Sequence, residues 1–227
     1  MINPIERFER SVFTKDIINK LRNDIILGII PAEKRMLEIQ LSQEYGVSRG
    51  PIRVALQTLA QEGLVNILSN GGAVVNGFSK KDAEDLFDLR YMLERRAVEL
   101  ILNNPMVSYA PILEVMEKMR AIHQKNVGID NLTQLMSVHD IQFHHAIMTM
   151  AENNFMLKSW ENISRILYTI MNIANLSYSS FFDFYKKHKE LSDAIIQRNP
   201  NLNMIFDHHT LGAKDLLIPR LISKIKT

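Results

Sequence analysis

The chain has 227 residues, 27 Lys and Arg against 25 Asp and Glu, seven histidines and no cysteine. That length suits one large domain or two small ones, and the missing cysteines exclude disulfide scaffolds, thiolate metal sites and a cysteine nucleophile. A near-neutral total argues neither for nor against nucleic acid, because only clustered charge would do so.

Seven of the nine glycines lie between Gly28 and Gly77, and every histidine lies after position 122. A turn-rich front and a turn-poor, histidine-bearing back imply two domains, 1–78 and 79–227. The first residues lack the apolar stretch of a signal peptide, and no run approaches the ~18–20 apolar residues of a membrane span. The expectation is a cytoplasmic protein with no membrane partner.

Val12, Ile17, Ile18, Leu21, Ile25 and Ile26 recur at helical spacing, and Gly28 follows as a stop. Pro31 and Ala32 mark a connection. A short helix spans about 38–45 and ends at Gly46. Ser48 is placed as N-cap of a third helix, which buries Ile52, Ala55, Leu56 and Leu59 and stops at Gly63. Residues 64–68 and 73–75 read as strands around a tight turn at Ser69-Asn70-Gly71-Gly72. Helix, short helix, turn, helix and hairpin make a winged helix-turn-helix.

The third helix opens on Ser48, Arg49 and Arg53 and carries no acidic side chain between Val47 and Gln61. That is how a recognition helix presents base-edge and phosphate contacts. Gly71 and Gly72 suit a wing tip that approaches a nucleic-acid backbone. A protein-interaction or dimerisation module is the plainer alternative.

The run Gly46-Val47-Ser48-Arg49-Gly50-Pro51-Ile52-Arg53-x-Ala55-Leu56, with Glu62-Gly63-Leu64-Val65 and Gly71-Gly72-Ala73-x-Val75, resembles the GntR family of bacterial transcription regulators. The resemblance implies DNA contacts at Ser48, Arg49, Gly50, Arg53 and Gly72. Three positions depart from it: Ala32 replaces a glycine, Val54 a glutamate beside Arg53, and Ile39 stands where a basic contact is usual.

Ser79 with Asp82 reads as a helix start, and about six or seven helices follow, over 81–103, 109–126, 130–151, 153–176, 179–198 and 200–222. Pro105, Gly128 and Asn199-Pro200 punctuate them. At 100° per residue, Asp140 and His144 share a face with Met136, Phe143 and Ile147. His188 lies in the stripe of Phe181, Phe184, Leu191 and Ile195, and His209 lies with Leu202, Ile205, Ala213 and Leu216. One aspartate and three histidines thus aim into an apolar interior, where an unpaired carboxylate is costly. They form either a hydrogen-bonded core network or a divalent metal site for Zn, Ni, Mn or Fe. Arg90 lies on an apolar face too and needs an anionic partner, either Glu94 or Asp140 or the carboxylate of an effector.

The segments Asp85-Leu86-Phe87-Asp88-Leu89-Arg90…Leu93-Glu94, Asp140-x-x-Phe143-His144…Asn154 and His188…His209 resemble the FCD ligand-binding domain of the FadR subfamily. The resemblance implies a metal held by Asp140, His144, His188 and His209, with His208 as the alternative last ligand. It also implies an effector site near Arg90 and Asn154, although Asn154 serves equally as a helix N-cap. The fold expected is mainly α, a winged helix-turn-helix followed by an all-α FCD-type bundle.

The functional expectation is a homodimeric, non-enzymatic repressor that reads a palindromic DNA operator under control of a small organic acid. The alternatives are a metalloregulator that senses the metal itself and a metal-dependent hydrolase with a DNA-targeting head.

Overall fold

The computed structural model describes residues 4–69, 71–124, 131–176 and 178–225, with side chains from Phe13 onward. The Asn70 turn position and the Gly128 break lie outside the described residues. Two compact units emerge: Met1–Asp82 with Lys224–Thr227, and Ala83–Ser223. The division falls four residues beyond the expected one at 78, after the turn in which Ser79 and Asp82 cap the next helix.

The first unit contains α1 (Pro4–Ile26), β1 (Arg35–Met36), α2 (Glu38–Glu44), α3 (Arg49–Gln61), β2 (Val65–Ile67) and β3 (Ala73–Val75). Ile17, Leu21, Ile25 and Ile26 of α1 are buried, as are Ile52, Ala55, Leu56 and Leu59 of α3. Across these helices Arg22 places Nε and Nη2 on the two carboxylate oxygens of Glu62, each at 2.7 Å, and gives Nη1 to Asn19. The pairing explains why an arginine and a glutamate face inward here.

The sheet is antiparallel in the order β1-β3-β2, with Arg35 opposite Val74 and Val65 opposite Val75. β1 was not expected, because two residues are too few to show any alternation. It explains Gly72, whose φ is +112° and where a Cβ would sit 2.4 Å from the Met36 carbonyl oxygen. Glycine at 72 is required by a close backbone approach beside the sheet. Glu33, next to Ala32, takes a left-handed φ of 64° and donates its N–H to Val75 O.

The second unit is built from α4 (Lys80–Asn103), α5 (Ala110–Gln124), α6 (Leu132–Met150), α7 (Asn154–Ile173), α8 (Phe181–Ile196) and α9 (Leu202–Ile222). Asp82 Oδ2 accepts from the Ser79 N–H and hydroxyl, and Ser79 Oγ accepts from Asp82 N–H, so the helix start is capped reciprocally. Asn153 caps α7 by accepting from Met156 N–H, and Ser180 caps α8 by accepting from Asp183 N–H. Asp207 of α9 accepts from Tyr91 and Arg95 of α4. Phe87, Phe143, Trp160, Phe184 and Phe206 fill the core, and Met119, Met136, Met148 and Met171 pack among them.

Candidate metal centre and nucleic-acid interface

On the first unit, Ser48 is the N-cap of α3 by backbone conformation, but its hydroxyl makes no capping bond. Ser48, Arg49, Gly50 and Arg53 are all exposed. On a 100° helical wheel Arg49, Gly50, Arg53, Val54 and Gln57 span about 140° opposite the buried face. Beyond its chain neighbours, a Cβ on Gly50 would meet only Ser48 Oγ, at 4.0 Å. The following Pro51 is the residue that favours a glycine in this helical position. Arg53 donates from Nε and Nη2 to the two oxygens of Glu38, both at 3.0 Å. Position 54 lacks a carboxylate, but α2 supplies one to Arg53 from another element. Glu38's hydrogen bonds from Arg53 hold its carboxyl below the ordinary range. Ile39 and Val54 are half exposed.

In the second unit, α6 carries Asp140 and His144, α8 carries His188 and α9 carries His209. One donor atom from each lies within 4.8 Å of every other. Asp140, His144 and His188 are buried. On α9 the buried face is not the expected one. It runs through Leu202, Phe206, Thr210, Leu217 and Leu221, which leaves His209 at its half-buried edge. Even so, His209 Nε2 reaches to 3.2 Å from His144 Nε2. His208 is exposed, which removes it as a rival for the last position.

The protons can be placed from the neighbours. His188 Nδ1 donates to the Phe184 carbonyl at 2.8 Å, and in the neutral ring this leaves a lone pair on Nε2, 3.2 Å from Asp140 Oδ1. His144 Nδ1 lies 2.8 Å from Glu94 Oε2, a carboxylate oxygen that can only accept. The other nitrogen of His144 is thereby left bare, 3.9 Å from Asp140 Oδ1. With both rings neutral, lone pairs of two histidines and a carboxylate oxygen face one another inside the protein. His209 Nε2, 3.2 Å away, can donate to His144, but His188 Nε2 and Asp140 Oδ1 still oppose each other, and a bound cation would satisfy them. The residues present fit a divalent metal of the imidazole-preferring kind.

A second layer surrounds these donors. Arg90 is fully buried and donates from Nε to Glu94 Oε1 at 2.8 Å and from Nη2 to Asp140 Oδ2 at 3.1 Å. Its remaining Nη1 has no hydrogen-bond partner. Trp160 Nε1 donates to Glu94 Oε1 at 2.8 Å. Burial alone would raise the Asp140 carboxyl, but the Arg90 charge beside it pulls it far below the carboxylate range. Glu94 is likewise lowered, the Arg90 charge outweighing its burial. His209 is held well below an ordinary imidazole chiefly by burial. Tyr178 is pushed up to about 12 by burial and by the Asp140 charge.

Not every expected residue joins the cluster. Asn154 is exposed in the first turn of α7, and the capping role belongs to Asn153. His139 donates to the Leu135 carbonyl and stacks edge-on against Phe181, outside the donor set. Trp160 and Tyr178 were not singled out. The lone tryptophan was the available signal, since a buried indole N–H needs an acceptor. A cavity of about 240 Å³ between α8 and α9 is lined by Lys187, Glu190, Met204, Ile205, His208 and His209.

Residues 13–75 match the family of bacterial regulatory proteins of the gntR type, and residues 85–202, more than half of the chain, match the FCD domain. The chain belongs to the GntR family, in its FCD-containing branch. This GntR protein is 24% identical over 183 residues, 80% of each chain, to the uncharacterized HTH-type transcriptional regulator YdhC of Bacillus subtilis. It is 26% identical over 148 residues to the gluconate operon transcriptional repressor of the same organism, spanning 65% of this chain and 59% of that one. A solved structure of Lar, which controls the expression of the Listeria monocytogenes agr system, superposes with a TM-score of 0.66. It shares 18% identity over 92% of this chain and 96% of that chain, a likeness of fold. The protein is a transcription regulator with a helix-turn-helix head and an FCD domain. Among the described residues no helix is long and apolar enough to cross a membrane.

Proposed function

We propose that this GntR regulator is a homodimeric repressor whose hold on a palindromic operator is set by a small organic acid at a metal-bearing FCD pocket. The observation that carries the reading is the convergence of bare nitrogens of His144 and His188 on Asp140 Oδ1, with His209 closing the group. A bound divalent cation would supply a Lewis-acidic centre able to take a carboxylate oxygen. The residues' own tasks are to hold it, through Asp140, His144, His188 and His209, and to bind the acid near Arg90, whose Nη1 is the spare donor. The cavity beside His209 offers room for a small molecule. Asn154 has no part in this reading.

At the other end, Ser48, Arg49, Gly50 and Arg53 supply the exposed surface of α3 for base edges and phosphates. Gly72 shapes the wing. Two-fold symmetry of the protein would match a two-fold operator.

One observation favours a second reading. Arg90 already gives two donors to Glu94 and Asp140, which leaves little of its guanidinium for an incoming carboxylate. On that reading the metal itself is the signal. The test is operator affinity by fluorescence anisotropy, on an operator selected from random DNA, with metal-free and metal-loaded protein and a panel of small carboxylic acids. A shift with acid only on metal-loaded protein supports the main reading. A shift with metal alone supports the second, and no shift in either series refutes both.

A further inference from the structure

We infer that Glu94 is the positioning residue of the metal site, holding His144 in the tautomer that turns a bare Nε2 toward Asp140 and His209. The inference rests on the metal reading above and adds a residue that is not itself a ligand. Glu94 is wholly buried on α4, and its carboxylate cannot rotate freely. Oε1 is engaged twice, by Arg90 Nε and Trp160 Nε1, both at 2.8 Å. That leaves Oε2 beside His144 Nδ1, 2.8 Å away, a close contact rather than an aligned hydrogen bond, and neither of the two atoms has any other polar partner. A carboxylate oxygen has no proton to give, so the proton between them belongs to His144. The opposite nitrogen is then free of hydrogen on the side where the ligand atoms gather.

Arg90 adds a second constraint. Its Nη2 holds Asp140 Oδ2, so Oδ1 is the oxygen left for the cluster. Two of the four ligand side chains are therefore oriented from α4, which contributes no ligand of its own. His188 receives the same service from a backbone carbonyl. Partners of this kind, one bond behind the ligands, are worth about 10–100-fold in metal affinity.

Glu94→Gln isolates the effect, because it keeps size and shape. If the amide oxygen stays with Arg90 and Trp160, the amide NH2 faces His144 Nδ1, which must then accept, and the ring proton moves to Nε2. The reverse amide orientation sets NH2 against two N–H donors. The experiment is long-range proton–nitrogen NMR of histidine-labelled, metal-free protein at pH 7.5, paired with Zn2+ affinity by chelator competition. Wild type should show His144 protonated on Nδ1. Glu94→Gln should move the proton to Nε2 and weaken Zn2+ binding about 10–100-fold. Wild-type His144 protonated on Nε2 overturns the inference, even if the variant does not fold. Zn2+ bound by wild type, with an unchanged tautomer and affinity within twofold in the variant, overturns it alone. No Zn2+ uptake by wild type overturns the metal reading and this inference with it.

Discussion

Gly50 offers a test in which DNA binding should fall much further than stability. It is the second residue of α3 and stands before Pro51, whose ring crowds a Cβ on the preceding helical residue and offsets the helix propensity that alanine would add. Beyond its chain neighbours, the nearest atom to an added Cβ is Ser48 Oγ at 4.0 Å. Gly50→Ala should therefore change the stability of the head by no more than about 1 kcal/mol. If DNA packs against this turn, the new methyl stands between the helix backbone and a phosphate. Losing one backbone hydrogen bond to a charged group costs about 1.5–3 kcal/mol, a weakening of roughly 10- to 150-fold. Urea titration reads the first effect, and operator binding by fluorescence anisotropy at fixed salt reads the second. A folded variant that binds the operator like wild type would refute the placement of DNA at Gly50. Gly72→Ala is the contrasting case. Its Cβ would collide with the Met36 carbonyl at 2.4 Å, so it should lose stability and DNA binding together.

Other outcomes follow from the same structure. Arg49→Ala should weaken operator binding by about 1–3 kcal/mol if it makes a bidentate base contact, and anisotropy with unchanged affinity would rule that contact out. Glu62→Ala leaves Arg22 charged and buried without its main partner, a loss of about 3–5 kcal/mol that thermal unfolding should register. A midpoint close to that of wild type would contradict it. In metal-free protein, His209 has a folded-state pKa below its unfolded value of about 6.5. The unfolded chain therefore binds the proton first, and stability should fall as pH drops through about 6.5 toward the folded value. This one group sets a slope of at most about 1.4 kcal/mol per pH unit. Urea titrations that are flat between about pH 7 and 5.5 would contradict this.

The regular elements were legible because their signals are local. The α3 face of Ile52, Ala55, Leu56 and Leu59 is buried as its spacing predicts, and so is the α6 face bearing Asp140 and His144. The parts that escaped depend on contacts between elements. β1 has two residues and exists only because β3 pairs with it. The pairing of Arg53 with Glu38 joins residues 15 apart, and helix periodicity along α3 contains no trace of it. On α9, apolar residues occupy more than one face, so periodicity chose a stripe about 100° from the buried one, and His209 sits at the edge of the true face. Arg90 shows the same limit. Its burial could be read from its apolar neighbours, but its sharing between Glu94 and Asp140 needed three helix positions at once. Glu94 was visible only as a partner for Arg90. Its place behind His144 depends on how α4 and α6 pack.

The most direct measurement of the central claim is the metal content of the two-domain protein after loading and desalting, compared with His188→Ala and Asp140→Ala. The geometry predicts one divalent ion per wild-type chain and a marked loss in both variants, because each removes a donor from a group held within 4.8 Å. Equal metal in all three proteins, or none in the wild type, would return Asp140, His144, His188 and His209 to an ordinary hydrogen-bonded core.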